Sequence, residues 1–79
     1  MRLVQQMARK LGHVQRDLLL ALYEHGKWVD HPRTGWVWNT ISGTRKILNT
    51  LVDRSLVEIW DNTYTLTDEG YSKVEELLS

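Results

Sequence analysis

Residues 44–70 read TRKILNTLVDRSLVEIWDNTYTLTDEG, and the residue pattern changes twice along that run. Ile47, Leu48, Leu51 and Val52 recur at the three-and-four spacing of one helical face. Ser42, Lys46, Asn49, Thr50 and Asp53 fall on the opposite face, with Arg45 at its edge. A helix over 42–54 is predicted, with Leu56 just past its end. The period then drops to two. Val57 and Ile59 alternate with Glu58 and Trp60, and Tyr64 and Leu66 alternate with Thr63 and Thr65. Asp61-Asn62 between them is a two-residue turn, because both residues tolerate positive φ. That loop sets Ile59 opposite Tyr64 and Val57 opposite Leu66. The hairpin over 56–66 thus has one apolar face and one face of Glu58, Trp60, Thr63 and Thr65. Thr67 is a good N-cap, and Asp68 and Glu69 suit the positive end of a closing helix over 67–78. Tyr71, Val74, Leu77 and Leu78 are its predicted buried stripe.

Upstream, Leu3, Val4, Met7, Ala8 and Leu11 mark an amphipathic helix over 2–11, which Gly12 stops. A second helix spans 13–25, with Val14, Leu18, Ala21 and Leu22 on one face and Leu19, Leu20 and Tyr23 elsewhere around it. His25-Gly26 ends it. Asp30-His31-Pro32-Arg33-Thr34-Gly35 is turn chemistry. The stretch GWVWNTIS at 35–42 admits two readings. A helix over 32–38 could begin at Pro32, but Gly35 would sit in its middle. Trp36-Val37-Trp38 favours a strand. The spacing from Gly26 to Leu48 leaves no room for both, so a short strand at 36–38, lying against the hairpin, is the expectation.

The order of these parts resembles a winged helix-turn-helix domain. TRKILNTLVDRSLVEI resembles the end of a recognition helix running into the first wing strand. YTLTDEGYSKVEELL resembles the return strand and following helix of small bacterial, archaeal or phage transcription regulators. The Thr-Asp-Glu-Gly turn is characteristic of that family. Gly70 fits it, since a residue without Cβ lets the helix start pack close to the sheet. Leu18–Gly26 is similar to the family's first helix. The family's alanine- and leucine-rich scaffold helix has HPRTGWVWNTIS in its place here. Ser55 replaces the usual glycine after the recognition helix. The wing tip, with Asp61, has no Arg or Lys. The fold the resemblance implies is α+β, mainly α: an N-terminal helix, a three-helix core with a degenerate scaffold helix, a β-hairpin wing and a C-terminal helix.

At 79 residues the chain is one domain. A domain this small buries only about 60% of the surface its unfolded chain exposes, so its core is small. The absence of cysteine excludes disulfides and thiolate zinc sites. No apolar run reaches membrane length, so a cytoplasmic location without membrane contact is expected. Net charge is zero, yet residues 1–54 hold nine Lys/Arg against four Asp/Glu, and residues 55–79 hold Lys73 against six acids. The chain is a charge dipole of +5 and −5, consistent with one side meeting an anionic surface.

The candidate contacts with double-stranded DNA lie on the 42–54 helix, whose N-terminal half would enter the major groove. Arg45 suits guanine and Asn49 adenine, while Ser42 and Thr44 suit phosphates or base edges. Lys46 points most directly outward, and Arg33 is a weaker phosphate candidate. Leu3, Val4, Met7 and Leu11 are the candidate homodimer interface; Arg2, Arg9, Lys10 and Arg16 either extend a phosphate footprint or, the favoured reading, flank that apolar stripe. Trp60, with Asn62 and Thr63 at the wing, is a candidate anchor for a protein partner. His13, His25 and His31 have no ligand spacing with acids, and no nucleophile, base and orienting acid assemble. No cofactor, metal or catalytic residue is expected. The expected function is DNA binding by a transcription regulator. The alternative is a winged-helix interaction module or a phage nucleoprotein accessory factor that reads no DNA sequence.

Overall fold

The computed structural model describes residues 10–79. These residues form a small α+β domain of three helices and one three-stranded antiparallel sheet. Helix α1 spans His13–His25, strand β1 Trp28–Val29, helix α2 Ile41–Asp53, strand β2 Val57–Trp60, strand β3 Thr63–Leu66 and helix α3 Asp68–Leu78. The strand order is β1-β3-β2. The expected helix at 2–11 falls almost wholly outside the described residues; Lys10 and Leu11 are not helical.

Each helix ends where the local chemistry stops it. Gly26, at φ 91°, closes α1 and donates its N–H to the Leu22 carbonyl at 2.8 Å. Thr40 caps α2, its Oγ1 accepting from the Gly43 N–H at 2.9 Å. At the other end of α2, Leu56 N–H reaches Leu51 O at 3.1 Å and Ser55 N–H reaches Val52 O at 2.9 Å. Ser55 sits at φ 63°. These are the paired bonds of a Schellman motif, and Leu51 and Leu56, both buried, make its apolar contact. Thr67 caps α3 by accepting from the Gly70 N–H at 3.0 Å. Asp61 and Asn62 take φ 53° and 62°, the paired positive values of a type I′ hairpin turn. Ile59 pairs with Tyr64 and Val57 with Leu66, the register expected from alternation.

The core comprises Leu18, Leu19 and Leu22 of α1, Trp28 of β1, Leu48 and Leu51 of α2, and Leu56, Val57, Tyr64, Leu66 and Val74. Gly70 joins α3 to it. A Cβ there would collide with the Leu56 carbonyl oxygen and come within 3.1 Å of the Leu66 Cδ2. The helix can start this close to the sheet only without a side chain at that point.

Three expectations are corrected. The strand that lies against the hairpin is Trp28–Val29, paired with Tyr64 and Thr63, and not residues 36–38. Residues 36–38 form neither strand nor helix, because side chains take up their polar groups. The Trp36 carbonyl accepts from Trp28 Nε1 at 2.6 Å, and the Trp38 N–H donates to Thr44 Oγ1 at 2.8 Å. The hairpin's apolar face is incomplete: Ile59 is 45% exposed, since among the described residues β2 is an edge strand with no neighbour beyond it. Of the α3 stripe, Val74 is buried and Leu77 packs on the core, but Tyr71 and Leu78 are largely exposed. Tyr71 instead meets Tyr23 edge-on, with ring centroids 6.2 Å apart.

Candidate nucleic-acid interface

The exposed face of α2 carries Ser42, Arg45, Lys46, Asn49 and Asp53. Its amphipathic spacing creates this face, because Leu48 and Leu51 draw the opposite side into the core. The first turn of α2 holds no acid, so the positive end of the helix is uncompensated by its own side chains. The loop after β1 lies alongside. Its Asp30 N–H donates to the Asn62 carbonyl at 2.8 Å, which joins this loop to the hairpin turn.

Arg45 and Asp30 meet where these parts converge. Nε donates to Oδ2 at 2.8 Å and Nη2 to Oδ1 at 3.1 Å, a two-point ion pair across 15 residues of sequence. The Asp30 side chain is 20% exposed and that of Arg45 45% exposed. The hydrogen bond and charge of Asp30 raise the Arg45 pKa further above its already high value. Water screens so exposed a pair, so it fixes orientation more than it stabilises the fold. Beside it, Tyr64 donates its hydroxyl to Asn49 Oδ1 at 2.7 Å. Burial, and then the nearby Asp30 charge, push the Tyr64 phenol above its ordinary pKa. It therefore stays protonated, and a donor, at neutral pH.

The candidate contacts are thus of unequal availability. Ser42 and Lys46 are exposed, as is Arg33 in the loop, and among the described residues no ion pair involves Lys46 or Arg33. Thr44 is not available, which corrects the expectation of a DNA contact. It is fully buried, and its hydroxyl lies 2.7 Å from the Thr40 carbonyl and 3.0 Å from the Trp38 carbonyl. Asn49 is exposed but already engaged by Tyr64. Trp60 is 82% exposed, Asn62 is exposed, and Thr63 is half-buried with its hydroxyl on the Asp61 carbonyl at 3.2 Å. Leu3, Val4 and Met7 lie outside the described residues, while Leu11 packs partly against the core. Residue spacing gave no signal for Asp30 as partner of Arg45 or Tyr64 as partner of Asn49; both contacts join separate elements.

No family model matches the chain, and no curated protein or solved structure does so either. Among the described residues no helix is long and apolar enough to cross a membrane, and no group of His, Asp and Glu could hold a metal ion.

The connector before α2 has one further structural consequence. Trp36 stacks on His25 with centroids 4.8 Å apart and donates its Nε1 to the Lys27 carbonyl at 3.0 Å. Trp28 meets Trp36 edge-on at 6.5 Å. This aromatic knot, with the Thr44 bonds to Trp38, holds the start of α2 against the end of α1.

Proposed function

We propose that the chain is a winged-helix module that binds duplex DNA, of the kind that regulates transcription. Helix α2 enters the major groove and the β2–β3 hairpin serves as the wing. The observation that carries this reading is the outward strip Ser42, Arg45, Lys46 and Asn49. It is free of acids over the first three turns of a helix whose other side is in the core. A helix so presented fits the major groove, and Lys46 and Arg33 supply charge for the phosphates flanking it. Bracing of α2, the usual task of the scaffold helix, falls to the Trp38–Thr44 bonds and the aromatic contacts of the connector. Fluorescence anisotropy with labelled random-sequence duplexes tests the reading. Binding should weaken as salt rises, and Lys46→Ala should reduce the salt slope by about 1. Absence of binding to any duplex at low salt would sink the proposal.

One observation favours a second reading, a protein-interaction module. Trp60 and Ile59 are both exposed, on opposite faces of the edge strand, and Glu58 and Asp61 flank them in sequence. Phosphate is repelled by those acids, whereas an exposed tryptophan on a strand edge suits a protein partner. In that case Trp60→Ala would leave stability and DNA affinity intact while abolishing a pull-down. Retention of the partner by the variant would remove the wing from the interface.

A further inference from the structure

We infer that Arg45 forms a guanine subsite and that Asp30 is the positioning residue that sets it. The inference rests on the reading of α2 as a major-groove helix and names what that helix reads. A guanidinium holds five N–H donors in a rigid planar fork. Asp30 occupies the side edge of that fork, through Nε at 2.8 Å and Nη2 at 3.1 Å. Among the described residues nothing accepts from Nη1. The end-on edge therefore remains, with one N–H from Nη1 and the second N–H of Nη2 pointing the same way. Two parallel donors require two adjacent acceptors. In the major groove guanine presents N7 and O6, both acceptors. Adenine pairs its acceptor with a donor, thymine pairs one acceptor with a methyl group, and cytosine offers a donor.

Asp30 is itself held in place. It follows directly on β1, its N–H is bonded to the hairpin turn, and its side chain is only 20% exposed. The sheet thus sets the direction of Arg45 before DNA arrives, and less side-chain freedom is lost on binding. The same carboxylate offsets the charge of Arg45. That weakens attraction to phosphates in general and leaves the contact more dependent on the base. A simple clamp between loop and helix would affect stability alone. A simple counter-charge would change affinity for all duplexes equally. A positioning residue changes the ratio between bases.

Selection from a random duplex pool, followed by anisotropy on single-base variants of the selected site, tests the subsite. Wild type should prefer guanine at one position by about ten- to hundredfold, the range of a good two-point base contact. Arg45→Gln should abolish that preference. Asp30→Asn should reduce it to about a few-fold while affinity for unselected duplex holds or rises. Replacing that guanine by 7-deazaguanine, which lacks the N7 acceptor, should weaken wild type and leave Arg45→Gln unaffected. This comparison decides the subsite even if Asp30→Asn fails to fold. A guanine preference that survives Arg45→Gln overturns the subsite, and an unchanged ratio in folded Asp30→Asn overturns the role of Asp30. In both cases DNA binding itself stands. No enrichment by wild type overturns the major-groove reading and the subsite together.

Discussion

From Leu51 to Gly70, the Thr67 cap apart, the chain is shaped mainly by main-chain groups bonded to main-chain groups; from Lys27 to Thr44, beyond the short β1 ladder, side chains bonded to main-chain groups do much of that work. In the first region Leu56 N–H returns to Leu51 O, the turn at Asp61-Asn62 closes the hairpin, and Thr67 N–H donates to Leu56 O at 3.1 Å. In the second, the indoles of Trp28 and Trp36 and the hydroxyl of Thr44 satisfy carbonyls and an N–H that no ladder reaches. Both regions obey the same demand, that buried polar groups find partners. They meet it differently, and the difference decides which region can change its sequence without changing its shape. The first depends on a few caps and conformations at fixed offsets. The second depends on particular large or hydroxylated side chains meeting across the fold.

The sharpest way to break the first region is Gly70→Ala. The new Cβ would strike the Leu56 carbonyl, which is backbone and cannot rotate away. Overpacking of this kind costs about 3 kcal/mol or more when the neighbour cannot yield. Urea denaturation should show that loss or no cooperative transition at all. A variant that unfolds like wild type would mean the close approach of α3 to the sheet is not needed.

Thr44→Val breaks the second region without changing volume. The hydroxyl is lost, and the Trp38 N–H is left without its acceptor in a partly buried place. The expected cost is about 1–2 kcal/mol, seen as a lower denaturation midpoint, with Thr44→Ser close to wild type. Equal stability of the Val and Thr proteins would show that the connector is held by its aromatic contacts alone.

The mildest change strengthens the first region. Ser55 stands at φ 63°, a conformation that costs a residue with a Cβ about 1–2 kcal/mol. Ser55→Gly removes that cost but adds freedom to the unfolded chain, for a net gain of about 0.5–1 kcal/mol. The melting temperature should rise. A fall would mean that packing around Ser55 outweighs its backbone conformation.

The same division explains what could be read in advance. Helix α1, the span of α2 to within a residue, the hairpin register and the start of α3 follow from local pattern, because each depends on residues within a few positions of one another. The partner strand of the hairpin did not follow. Trp36-Val37-Trp38 has the composition of a strand, but Trp28-Val29 lies where α1 delivers the chain beside β3. Two aromatic stretches with similar propensity compete for one sheet edge, and position relative to α1 decides between them. On the candidate interface, exposure of Ser42 and Lys46 was legible from helical period. The burial of Thr44 follows from the same period, one turn before Leu48 and two before Leu51; what spacing does not show is that its hydroxyl is taken up by the Trp38 and Thr40 backbone.

Short-range pattern sets the spans of the three described helices, where they stop, how the hairpin turns and which face of α2 looks outward. Periodicity, caps and positive-φ residues encode these over short distances. Packing of the finished elements is what brings Asp30 to Arg45 and Tyr64 to Asn49, and sets tryptophans and a threonine to brace α2. Those contacts join residues 6 to 15 positions apart through side chains. No local pattern records such meetings, because they depend on how the finished elements pack.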